Sequence, residues 1–88
     1  MVVAPHHLAA DAGLNILRDG GNAIEAMIAA ASTISVVYPH MNSIGGDGFW
    51  LISLPSSEVI AIDACGPAAQ SADKSFYLSN GYNKIPTR

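Results

Sequence analysis

Cys65 and the three histidines, His6, His7 and His40, are the residues of this chain that could open a covalent reaction. A thiolate attacks an acyl carbon once a neighbouring imidazole has lowered its pKa or taken its proton. Nothing in their spacing joins them, and the plainer reading of Cys65 is an inert thiol packed as a small hydrophobe. The same histidines with Asp47 could be imagined around a metal, yet no HExxH or comparable spacing is present, so capping and surface roles are expected and no metal site is assigned. Thr33 sits in the middle of an expected helix and Thr87 close to the terminus, and neither is placed to become a free N-terminal nucleophile. No catalytic residue is therefore assigned within the chain.

The other chemically suggestive stretch runs from Pro39 through His40, Met41, Asn42, Ser43 and Ile44 into Gly45, Gly46, Asp47, Gly48, Phe49 and Trp50. Glycine reaches positive φ or permits close backbone approach without side-chain cost, so Gly45, Gly46 and Gly48 are expected to form a constrained structural loop. Phosphate binding needs strand, glycines and then a helix N-terminus, with GxGxxG or a GK[ST] ending. Here the glycines follow a helix and enter a strand. The loop is read as steering the chain into a sheet, with Gly45 and Gly46 as the positions that most resist a Cβ and Asp47 hydrogen-bonding its own loop.

The elements that position these residues follow from periodicity and capping. After Pro5, residues His6 to Asp19 give a helix with Leu8, Ala12, Leu14, Ile16 and Leu17 as its apolar face, stopped by Gly20 and Gly21. Asn22 and Glu25 form a capping-box start for a second helix that reaches Tyr38, where Pro39 disfavours continuation. Beyond Glu25 that helix has no charged residue and apolar residues on every side, which predicts burial nearly all round. Phe49–Leu54 and Val59–Asp63 predict a hairpin around Pro55 to Glu58, apolar on both faces and so covered on both. Ser71 to Asn80 predicts a short third helix closed by Gly81.

With 88 residues, half of them apolar, the chain is globular in character and at most one domain. Two strands and a helix buried all round need more neighbours than this inventory supplies, so residues 1–88 are expected to be an incomplete domain. A net charge of −3 with four Lys and Arg leaves no electrostatic footprint for nucleic acid or an anionic membrane. A lone cysteine excludes an intramolecular disulfide and is compatible with a reducing compartment such as the cytoplasm, as is the lack of a signal-like start. The apolar run Ala26 to Tyr38 is too short to span a bilayer.

Several blocks taken together resemble the gamma-glutamyltransferase (gamma-glutamyltranspeptidase) family near the start of its large subunit. They are His7 to Leu14, Leu17 to Ala26 with its double glycine, Pro39 to Phe49, and Ile85 to Arg88. Their order and spacing carry the likeness; no single block would. The resemblance implies an α+β segment of an N-terminal nucleophile hydrolase, an αββα sandwich. It also implies a threonine nucleophile exposed by self-cleavage outside this chain, no cofactor, and the rest of the same polypeptide as partner. Set against the family pattern, Cys65 falls where glutamyl-specific members carry an arginine for the substrate's α-carboxylate, which marks Cys65 as a substrate-binding position. Arg88, or a residue beyond this segment, could compensate. The parent is thus expected to transfer or hydrolyse a gamma-glutamyl or related acyl group, with this segment alone inactive. The competing expectation is a small α/β module that binds a partner without catalysis.

Overall fold

The computed structural model describes residues 1–86, in the order α1 (His7–Arg18), α2 (Ala23–Val37), β1 (Phe49–Ser53), β2 (Val59–Asp63) and α3 (Lys74–Ser79). Thr87 and Arg88, weighed above as nucleophile and compensating cation, lie outside the described residues.

His6 opens α1 by accepting the Leu8 backbone N–H on its ring Nδ1 at 3.2 Å, which gives this histidine the capping role expected of it. At the other end Gly20 adopts φ +89°, the left-handed geometry that lets the chain turn off a helix. The backbone N–H of Gly21 then donates to the Ile16 carbonyl at 2.9 Å. Asn22 starts α2 as the sequence predicts: its Oδ1 accepts from the N–H groups of Ile24 (2.9 Å) and Glu25 (3.0 Å), while Glu25 accepts from the Asn22 N–H at 2.8 Å. A reciprocal cap of this kind satisfies the orphan donors of the first turn and contributes on the order of 1 kcal/mol.

The two helices pack through small residues. Ala9 and Gly13 are the buried positions of α1, and Ala26 and Ala30 those of α2. Of the expected apolar face of α1, Ala12, Leu14, Ile16 and Leu17 are half-buried while Leu8 is exposed, so the seam is centred one position further along. The close crossing explains the shift: large side chains would hold the backbones apart, whereas alanine and glycine let them meet. The burial expected all round α2 does not occur within this chain either. Only the stripe facing α1 is enclosed, and Ile24, Met27, Ile28 and Val36 are exposed, because α1 is the one helix that packs against α2.

β1 and β2 pair antiparallel, Phe49 with Asp63 through to Ser53 with Val59. Leu54 N–H donates to the Glu58 carbonyl at 2.8 Å and Ser57 N–H to the Leu54 carbonyl at 2.9 Å. Ser57 sits at φ +67°, so Pro55, Ser56 and Ser57 form a three-residue loop ending in a left-handed residue. Phe49 and Leu51 are exposed while Trp50, Ile52 and Leu54 are half-buried. The sheet is therefore not covered on both faces within this chain, a second correction with the same cause. α3 begins three residues later than expected because the Asp73 carboxylate caps it, accepting the Phe76 N–H at 2.7 Å. Gly81 at φ +79° closes it.

The described residues spread over 55 × 31 × 15 Å with a radius of gyration of 18.1 Å, against about 12 Å for a compact domain of this length. The globular character expected from composition is thus not reached by the chain alone: a helical hairpin and a β-hairpin stand side by side with their apolar outer surfaces open.

Candidate functional site

The segment between α2 and β1 borders an open cleft of about 880 Å³, lined among others by Met27, Ser35, His40, Asp47, Gly48 and Trp50. The C-terminal half of α2 forms one wall and the start of the hairpin the other. His40 lies against Tyr38 with ring centroids 4.2 Å apart, an arrangement that orders the chain after Pro39. Asn42 Nδ2 reaches the Tyr38 carbonyl at 3.5 Å.

The glycine loop is tighter in sequence than in conformation. Neither Gly45, Gly46 nor Gly48 has positive φ, and a Cβ on Gly45 would meet nothing within 4 Å. At Gly46 a Cβ would fall 2.7 Å from Ser43 Oγ, a hydroxyl that can rotate away. Gly45 and Gly46 are therefore not the strained positions expected of them, because the turn is made by an ordinary Gly46 N–H to Ser43 carbonyl contact at 3.4 Å. The left-handed glycines are Gly20, Gly66 and Gly81.

Gly48 has a more specific place. Its carbonyl accepts the Ala64 N–H at 2.8 Å, and a Cβ on Gly48 would lie 3.9 Å from the Ala64 Cβ. The strands thus stay in contact at Gly48 and Ala64, and Asp47 and Cys65 follow as the next residues outward, beyond the paired ladder. Phe49 and Asp63, paired across the strands, project to the same side, and Asp47 and Cys65 follow them at the open end of the hairpin. Residue type and spacing do not link Asp47 with Cys65. The signal that brings them to one end is the hairpin register, counted back from the Pro55–Ser57 loop.

Cys65 is half-buried and unbridged. Its backbone N–H donates to Asp63 Oδ1 at 3.0 Å, and this bond, with one from the thiol, holds the Asp63 carboxyl below its ordinary range. The reciprocal effect pushes the thiol up: the hydrogen bond to Asp63 comes first, then desolvation, then the negative charge of Asp47. A nucleophilic cysteine requires the opposite shift, toward thiolate. The corner therefore presents a neutral thiol between two carboxylates, and no lysine or arginine occurs between Arg18 and Lys74 to offset them.

Cys65 and Gly48 lie at one hairpin end; Gly46 and Gly48 line the cleft, whereas Gly45 and Cys65 are not among its lining residues. His6 and His7 stack on one another at the start of α1, with ring centroids 4.7 Å apart. Among the described residues no three His, Cys, Asp or Glu side chains gather as metal ligands, and no helix is long and apolar enough to cross a membrane.

Comparison with known proteins converges on one family. The model described as gamma-glutamyltranspeptidase matches residues 9–88. The oxamate amidohydrolase proenzyme of Klebsiella pneumoniae is 59% identical over 88 residues, covering 100% of this chain and 16% of that protein. The glutathione hydrolase-like YwrD proenzyme of Bacillus subtilis is 39% identical over 89 residues, covering 100% of this chain and 17% of that protein. Among solved structures, Helicobacter pylori gamma-glutamyltranspeptidase superimposes with a TM-score of 0.85 at 36% identity, over 98% of this chain and 25% of that one. The chain thus spans about a sixth of the length of these curated relatives, and its helices and hairpin are a segment of the α+β N-terminal nucleophile hydrolase fold.

Proposed function

This chain belongs to the gamma-glutamyltranspeptidase family, and from that premise we propose that it is the N-terminal scaffold and pocket wall of a longer amidase. The observation that carries the reading is Cys65. In place of the arginine that the family resemblance puts there, the hairpin ends in a protonated thiol beside the Asp63 carboxylate. A guanidinium fork supplies charge and paired donors to a carboxylate, and a thiol supplies neither. The acyl donor is accordingly one that needs no anchor for a distant α-carboxylate, hence a shorter acyl group than gamma-glutamyl. The high identity to a protein named for oxamate hydrolysis supports this, since oxamate carries its carboxylate directly on the amide carbon.

In the reaction, a threonine hydroxyl outside residues 1–88 attacks the amide carbonyl, its own freed α-amino group taking the proton. The C–N bond breaks, the amine leaves protonated, and water then releases the acyl group. This segment contributes the cleft wall and the ordered hairpin end, and no cofactor is needed for these steps. Its exposed faces on α2 and the hairpin are covered by the rest of the same polypeptide. Alone it is inactive.

The test is kcat/KM of the full-length protein for oxamate against gamma-glutamyl p-nitroanilide. Loss of a bidentate carboxylate contact, worth about 1.5–3 kcal/mol, should leave the gamma-glutamyl donor disfavoured by roughly 10- to 100-fold. Efficient gamma-glutamyl turnover with no hydrolysis of oxamate would overturn the reading, as would turnover by the isolated segment that disappears in Cys65→Ser.

A further inference from the structure

We propose that Asp47 is a second specificity-determining residue: across the hairpin end from position 65, its carboxylate closes that corner to the carboxylate of a longer acyl donor. The inference rests on the reading above, that position 65 faces the acyl donor, and adds a residue that no comparison assigns.

The geometry comes from the ladder. Phe49 faces Asp63, the Gly48 carbonyl takes the Ala64 N–H at 2.8 Å, and the Gly48 and Ala64 Cβ positions are 3.9 Å apart. One step further out lie Asp47 and Cys65, at the same open end of the hairpin. The negative charge of Asp47 is felt at the Cys65 sulfur, in agreement with that placement. Asp63 holds the other side, and the loop and hairpin carry no cation of their own. An anionic group entering here meets like charge from two directions, an arrangement that rejects a wrong partner without binding the right one.

A consequence separates this from a simple loss of arginine. Arginine restored at position 65 would find Asp47 opposite it and pair with that carboxylate rather than with substrate. The experiment compares Cys65→Arg, Asp47→Asn and the double variant in the full-length enzyme, measuring kcat and KM for gamma-glutamyl p-nitroanilide. In parallel, the rate at which iodoacetamide alkylates Cys65 is followed against pH in the wild type and in Asp47→Asn. The expected results are a gain under about threefold for Cys65→Arg alone and a further gain of at least about tenfold for the double variant, mainly in KM. Alkylation in Asp47→Asn should also be faster at a given pH. Full recovery from Cys65→Arg alone, or alkylation unchanged by Asp47→Asn, would overturn the role of Asp47 while leaving the amidase reading standing. Faster alkylation in Asp47→Asn, with no variant altering KM for any donor, would show that position 65 does not face substrate, and both readings would fall.

Discussion

Gly13→Ala should weaken the helical hairpin although it replaces the poorest ordinary helix former with the best. A Cβ built on Gly13 would lie 2.8 Å from the Ala26 carbonyl oxygen, 3.0 Å from Val2 Cγ1 and 3.4 Å from the Ala30 Cβ. The first of these is backbone in the middle of the α1–α2 seam, so the clash is relieved only by moving one helix off the other. Overpacking of a tight seam costs about 1–3 kcal/mol, while the gain in helix propensity is about 1 kcal/mol. Taking the upper half of that range for a backbone clash leaves a net loss of about 1–2 kcal/mol. Hydrogen exchange of the α1 and α2 amides in the full-length protein reads this as local opening, which should accelerate roughly 5- to 30-fold. Val2→Ala, which removes the 3.0 Å contact, should recover only part of the loss because the carbonyl remains. Exchange that is unchanged or slower in Gly13→Ala would show that the helices separate at no cost and that the small-residue seam is not what sets their distance.

The loop glycines should separate from the left-handed ones. Gly45→Ala and Gly46→Ala are expected to change stability by less than about 0.5 kcal/mol, whereas Gly81→Ala at φ +79° should cost about 1 kcal/mol; equal losses at all three by denaturant unfolding would contradict the loop geometry. The turn after β2 should be acid-sensitive. Asp63 has its folded pKa below its unfolded one, so its contribution is complete above the unfolded value and disappears as pH falls through the folded value. Protection of the Cys65 amide should follow that course and be lost at all pH in Asp63→Ala, and a protection profile that is flat through the acid range would refute it. The isolated chain should bind hydrophobic dyes and self-associate through surfaces such as Phe49 (73% exposed) and Leu51 (78% exposed); a compact monomer with a cooperative melt by sedimentation and calorimetry would count against this.

Local chemistry was the legible part of the fold. The Asn22–Glu25 box, the stop at Gly20, the hairpin bounds and the Gly81 closure all lie in a few adjacent residues, and each is realised within about a residue of where the pattern places it. What the sequence concealed depends on neighbours that are distant along the chain. Periodicity weights large apolar residues, so it chose Leu8 and Leu14 as the core of α1, while close helix approach is built from Ala9 and Gly13. The all-apolar α2 and two-faced hairpin report how many neighbours those surfaces require, and α1 alone meets part of that demand for α2.

The candidate site divides along the same line. Cys65 stands out as a residue type, but the upward shift of its thiol comes from the bond to Asp63, then from desolvation and the charge of Asp47, none of which residue identity gives. Composition makes the glycine loop the conspicuous feature, yet Gly45 and Gly46 use ordinary backbone angles, and of the three Gly48 alone takes part in the ladder. Its carbonyl holds the Ala64 N–H at 2.8 Å, and that backbone bond brings Asp47 and Cys65 to the same end of the hairpin; a Cβ at Gly48 would make only ordinary contact with Ala64, at 3.9 Å. Gly48 therefore acts through its backbone rather than through any side-chain contact of its own. That is the physical sense in which a glycine-rich segment with no ligand-binding geometry can still shape the pocket it borders.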